Sequence, residues 1–131
     1  MPPFASAAAW SGYYQPAPVD VQPDIQFASG DMLSAANDSK NKNVFIGCGT
    51  RNFDDGLGGI FSWAFCQAED ADGERAYCET FNPALVDVVR GLADGSYIQY
   101  SWSDDGTGYL TCTSIGISTQ SFYIDKSKPS N

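Results

Sequence analysis

The chain has 131 residues, 43% of them apolar, carries sixteen acidic against seven basic side chains for a formal charge of −9, and contains no histidine. Its length suits one domain with a single core, and no apolar run approaches the ~20 residues of a membrane helix. The acidity repels phosphate backbones and argues against nucleic acid, while the missing imidazole removes Ser-His and Cys-His nucleophile pairs and histidine-ligated metals.

Residues 1–24, MPPFASAAAWSGYYQPAPVDVQPD, hold five of the seven prolines and show neither helical nor strand periodicity, which predicts a Pro/Ala-rich N-terminal arm ahead of a single domain over 25–131. A solvated linker is poor in aromatics. This one carries Phe4, Trp10, Tyr13 and Tyr14, so the arm is expected to pack, on its own domain or on a neighbour, where it would make an oligomer. The stretch Ala5-Ser6-Ala7 and the alanines after it read as the neighbourhood of a secretory processing site.

Ile25–Phe27 is a short candidate strand, and Val44–Cys48 reads as a buried one. Arg51–Gly59 (RNFDDGLGG) reads as a Gly-rich surface loop with Asp54-Asp55-Gly56 as turn chemistry. Ile60–Cys66 alternates Phe61, Trp63 and Phe65 with small residues, the period of a half-buried strand, and Arg75–Phe81 returns. A three-residue loop at Ala71-Asp72-Gly73 sets Cys66 opposite Cys78, Phe65 opposite Glu79 and Trp63 opposite Phe81. Facing cysteines predict a Cys66–Cys78 disulfide and, by elimination, Cys48–Cys112, one of three possible connectivities. Paired cysteines imply an oxidising compartment, hence a secreted or periplasmic protein.

Asn82-Pro83 opens a helix as N-cap and first residue, with Leu85, Val88, Val89 and Leu92 on its apolar face and Gly95 as its stop. Ser96–Trp102 and Tyr109–Ile117 make a second hairpin about a two-residue Asp105-Gly106 turn, which sets Trp102 opposite Tyr109 and Tyr100 opposite Thr111. Ser121–Ile124 adds an edge strand. The expected class is α+β: an antiparallel sheet of two hairpins with one helix across a face. No internal repeat stands out beyond four Asp-Gly pairs.

Three groups of residues offer chemistry. Glu69, Asp70, Asp72 and Glu74 supply oxygens for a weakly held Ca²⁺, the one ion suggested, although their spacing fails the EF-hand pattern and fits a hairpin tip. Trp63, Tyr97, Tyr100, Trp102 and Tyr109 sit on or beside strands, where a row of exposed rings would stack on sugars or anchor a partner protein. The competing reading makes Tyr100 and Trp102, with Ile98, the core beneath the helix, and turns Tyr97 to the other face. Glu79 stands mid-strand on the Trp63 face, the one carboxylate with an unusual address. The resulting expectation is a small secreted or periplasmic binding or assembly domain with no catalytic activity or cofactor, its partner a protein or a carbohydrate. Two alternatives stand beside it: a small hydrolase built on two convergent carboxylates, and an inhibitor of a secreted enzyme presenting Asp54–Gly59.

Overall fold

The structure, a computed structural model, describes residues 16–37 and 41–120. The aromatics and processing segment of the arm and the strand expected at 121–124 lie outside the described residues. The elements run β1 (Asp20–Gln22), β2 (Phe27–Asp31), α1 (Met32–Ala36), β3 (Phe45–Asp54), β4 (Ile60–Glu69), β5 (Arg75–Thr80), α2 (Pro83–Arg90), β6 (Tyr97–Asp104) and β7 (Leu110–Ser118). The strands form one sheet in the order β1-β2-β6-β7-β5-β4-β3. Its first strand lies inside the segment assigned to the arm, with Val19 and Val21 buried.

The class is α+β, but the sheet is mixed. β5 and β7 run parallel, joined at Glu79 and Thr111, so the expectation of a purely antiparallel sheet from two hairpins is corrected. The reason lies in α2. Its eight residues rise about 12 Å, short of the about 20 Å of β5. The helix therefore turns a corner at one end of the sheet, β6 starts from that end, and β7 returns alongside β5 in the same direction.

The predicted cap holds: the Asn82 side chain accepts from the Ala84 amide at 2.9 Å, and Pro83 stands in the first turn. The helix ends earlier than expected, at Gly91 rather than Gly95, and Val86 and Val89 are its buried residues. A second helix was not anticipated. α1 starts because Asp31, fully buried, accepts from the Ser34 amide at 2.7 Å and the Ser34 hydroxyl at 2.8 Å, the action of an N-cap. The same carboxylate accepts from the Ala17 amide and so ties the start of the described chain to the core.

The sheet curls. Val21, at one end of the strand order, donates its amide to Asp70 in the β4–β5 turn at 3.1 Å, and the Tyr100 hydroxyl on β6 reaches the Ala76 carbonyl on β5 at 2.9 Å. The inner face is the core, where Ile98, Tyr100, Ala64, Cys66 and Cys78 meet Val86 and Val89 of α2.

All four cysteines are bonded, as expected, but in the other pairing. The disulfides are Cys48–Cys66 and Cys78–Cys112, not Cys66–Cys78 and Cys48–Cys112. The hairpin register itself is the predicted one, with Cys66 opposite Cys78 and Phe65 opposite Glu79. What the expectation lacked was that Cys48 faces Cys66 from the other side. On the chain-entropy account, closures of 18 and 34 residues contribute about 3 and about 4 kcal/mol.

The second hairpin is also corrected. Trp102 faces Cys112, and Tyr100 faces Ile115 across a bulge, because the loop holds five residues instead of two. Asp104 accepts from the Gly106 amide and Asp105 from the Thr107 amide, each at 2.8 Å, while Gly106 and Gly108 take φ near +90°, which favours glycine. The β3–β4 loop repeats this geometry: Asp54 accepts from Gly56 N and Asp55 from Leu57 N, with Gly56 and Gly58 at positive φ. Asp-Asp-Gly-X-Gly is thus one turn used twice, at 54–58 and 104–108.

Candidate binding face

Strand alternation that sends Ala64 and Cys66 inward sends Trp63 and Phe65 outward. Arg90 of α2 donates to Asn52 Oδ1 at 3.0 Å and Ser62 Oγ at 3.1 Å, so the helix closes the inner side of the β3–β4 hairpin. Among the described residues the outer side carries no covering layer. There the rings run without a break: Phe53 to Phe61 at 6.5 Å, Phe61 to Phe81 at 5.4 Å, Phe81 to Trp63 at 6.4 Å, Trp63 to Phe65 at 5.7 Å and Phe65 to Tyr77 at 6.0 Å between centroids. Phe53, Phe61 and Phe81 remain about half exposed.

Phe65 is the best-seated of these rings. It lies across its register partner Gly49, where a Cβ would stand 2.8 Å from its Cζ, the arrangement in which an aromatic ring shields a strand glycine. The Arg51 guanidinium sits over the same ring, 4.9 Å from the centroid, a cation–π contact. The ring is therefore held from two sides.

Beside it stands Glu79. The Tyr77 hydroxyl donates to Glu79 Oε2 at 2.8 Å, and Tyr109 of the β6–β7 loop lines the same hollow as this carboxylate. Burial pushes the Tyr77 phenol up to about 12, helped by the hydrogen bond to Glu79 and by its charge. Tyr109 is raised as well, by burial first and then by Glu79. Both phenols are thus neutral donors at ordinary pH. Tyr77, Glu79, Gly108, Tyr109 and Leu110 line a hollow of about 290 Å³. Past Thr111 the face becomes hydroxyl-rich, with Ser101 bonded to Thr113 and Ser114.

The sequence candidates are dispersed by the fold. Tyr100 and Trp102 are buried in the core. Tyr97 is half-buried, its hydroxyl directed to Gln99 at 3.4 Å. Trp63 and Glu79 lie on the outer face, and Tyr109 joins them through its loop. Asp70 is buried and accepts from the amides of Val21, Asp72 and Glu74; Asp72 and Glu74 are exposed at the hairpin tip, and Glu69 pairs with Arg75. Among the described residues, no three acidic side chains converge as metal ligands would. The hollows edged by Asp54 and by Glu79 carry one carboxylate each.

Phe53, Phe61, Phe81, Tyr77 and Arg51 were not singled out from sequence. The signal existed: the alternation beginning at Phe45 continues through Gly47, Gly49 and Arg51 to Phe53. Reading Arg51–Gly59 as a Gly-rich loop cut it short, whereas β3 runs on to Asp54. Compared with models of protein families, with curated proteins and with solved structures, the chain matched none.

Proposed function

We propose that this is a non-catalytic binding domain whose working surface is the outer face of β3, β4 and β5. The observation that carries this reading is the unbroken six-ring row, half of it about 50% exposed, on a chain whose acidic groups otherwise keep it well solvated. Contiguous apolar surface of that kind marks interaction sites. Two disulfides fit an oxidising compartment, and the proposed setting is outside the cytoplasm. No described helix is long and apolar enough to cross a membrane.

The alternatives draw less support. A carboxylate hydrolase needs two acids converging in one concavity. An inhibitory loop offers a partner's cleft extended backbone, whereas Leu57, 90% exposed, stands between glycines at φ +78° and +88° that turn the chain away on both sides.

The test is retention on a panel of extracellular polymers: neutral, anionic and cationic polysaccharides, peptidoglycan and fibrous proteins. The domain is expected to be retained by at least one, and a Phe53→Ser, Phe61→Ser, Phe81→Ser variant with both disulfides intact is expected to lose that retention. Retention by none, or retention indifferent to the triple change, overturns the proposal.

A further inference from the structure

Resting on that reading of the face, we infer that its ligand is a neutral polysaccharide, and that Glu79, held by Tyr77 and faced by Tyr109, is the subsite that grips the hydroxyls of a sugar unit stacked beside it. A sugar unit presents an apolar C–H side and a polar rim, so its receptor needs a ring and, one ring-width away, a group able to accept several hydrogen bonds. The hollow supplies this pair, because Tyr77, 41% exposed, lines it beside the Glu79 carboxylate to which its hydroxyl donates.

The carboxylate has the capacity. Two oxygens offer about four acceptor sites, and the Tyr77 phenol occupies one of them. The remainder face a hollow of about 290 Å³, smaller than the usual drug-sized pocket and suited to a single small unit. Holding the carboxylate with a neutral phenol fixes its direction without neutralising it. Arg51 is committed to the face of Phe65. The ring row, stepping 5.4–6.5 Å, continues past the hollow as a platform for further units of a chain.

Charge selects the class. On a molecule of net charge −9, the outer strand positions hold only Arg51, Glu79 and the Glu69–Arg75 pair, while Asp54, Asp55, Asp72, Glu74, Asp104 and Asp105 stand at the turns around it. An anionic polymer is repelled by that rim, and a cationic one is drawn to the turns instead of the rings. A neutral chain meets neither obstacle.

Sedimentation with insoluble cellulose, chitin and β-1,3-glucan, with chitosan and alginate gel as charged controls, tests this. Retention is expected on at least one neutral polymer and should persist in 1 M NaCl. Glu79→Gln and Tyr77→Phe should each weaken it about tenfold or more, the scale of a lost charge-assisted hydrogen bond. Far-ultraviolet circular dichroism and disulfide content confirm the fold of each variant. Retention on chitosan alone, abolished by salt, overturns the inference, as does retention on no neutral polymer or retention indifferent to both substitutions. Binding to a fibrous protein that still depends on the Phe53, Phe61 and Phe81 rings would sink the sugar assignment and leave the binding face standing.

Discussion

Cys66 faces Cys78 directly across β4 and β5 and is bonded instead to Cys48, on its other side. In an antiparallel sheet a residue occupying the close, non-hydrogen-bonded position toward one neighbour takes the wide position toward the other. The Cα atoms of Cys48 and Cys66 are 4.0 Å apart, the close position. Cys78 is left to Cys112 on β7, at 5.0 Å between Cα atoms. Four sulfurs thus form one cross-strand row, bonded in alternate gaps.

The row makes an unusual demand on a Cys48→Ser variant. Cys66 becomes a free thiol facing the Cys78–Cys112 bond. Its thiolate attacks Cys78 Sγ, the Cys78–Cys112 bond breaks, and Cys112 leaves as the thiolate. Peptide mapping without reductant at mildly alkaline pH should find Cys66–Cys78 beside Cys78–Cys112, and urea unfolding should show a loss of about 3 kcal/mol from the missing closure. Cys78–Cys112 alone, with an inert Cys66 thiol, would show that the wide position does not admit the bond.

Gly49→Ala tests how firmly Phe65 is seated. The added methyl would meet the ring at 2.8 Å, so the ring must lift from the strand and the Arg51 contact loosens. A loss of about 1–3 kcal/mol is expected, as for overpacking elsewhere. In the Phe65→Ala background the same substitution should cost much less, and equal costs in both backgrounds would refute the contact.

The tyrosines give a pH signature. With Tyr77 raised to about 12 from an ordinary value of about 10, the folded state holds this proton more tightly than the unfolded one. Its contribution to stability is complete below pH ~10 and is lost as pH rises toward ~12. Because burial is the leading cause and Glu79 the second, Glu79→Gln should lower the titration of Tyr77 without restoring the ordinary value. Ring-proton NMR titration reads this directly, and an unchanged midpoint would remove Glu79 from the account.

Asp55 and Asp105 act at the opposite end of the scale. The amides of Leu57 and Gly59 hold the Asp55 carboxyl low, and the Thr107 hydroxyl and amide do the same for Asp105. Depressed values stabilise the fold above the unfolded pKa of about 3.9 and cease to do so as pH falls through the folded values. An Asp55→Asn, Asp105→Asn variant should be less stable at neutral pH and show a flatter acid limb in urea midpoints between pH 2 and 5. A limb as steep as the wild type would mean that the loops do not favour the charged form.

The first hairpin and α2 are legible in the sequence because their signals are local: alternation from Phe61 to Cys66, a left-handed Gly73, and Asn82-Pro83 at a helix start. The cysteine pairing is not, since it depends on Cys48 and Cys112 approaching from strands set by the whole sheet. β1 and α1 escape notice for a similar reason. Val21 and Asp31 act through distant partners, Asp70 and Ala17. Of the site, Trp63, Tyr109 and Glu79 were identifiable. The phenylalanine row was half hidden, because Phe53 lies in the stretch Arg51–Gly59 that reads as a loop.

The residue that follows the turn used twice is Gly59 in one copy and Tyr109 in the other. In both copies the backbone of that residue closes the turn, its carbonyl accepting from the amide of Asp55 or Asp105, and only its side chain differs. In one copy a tyrosine there reaches the rim of the Glu79 hollow. In the other, a Cβ would stand 2.8 Å from Asp55 Oδ2, so a second fingertip beside the hollow of about 380 Å³ edged by Phe53 and Ile60 would have to push aside the carboxylate that holds its own turn.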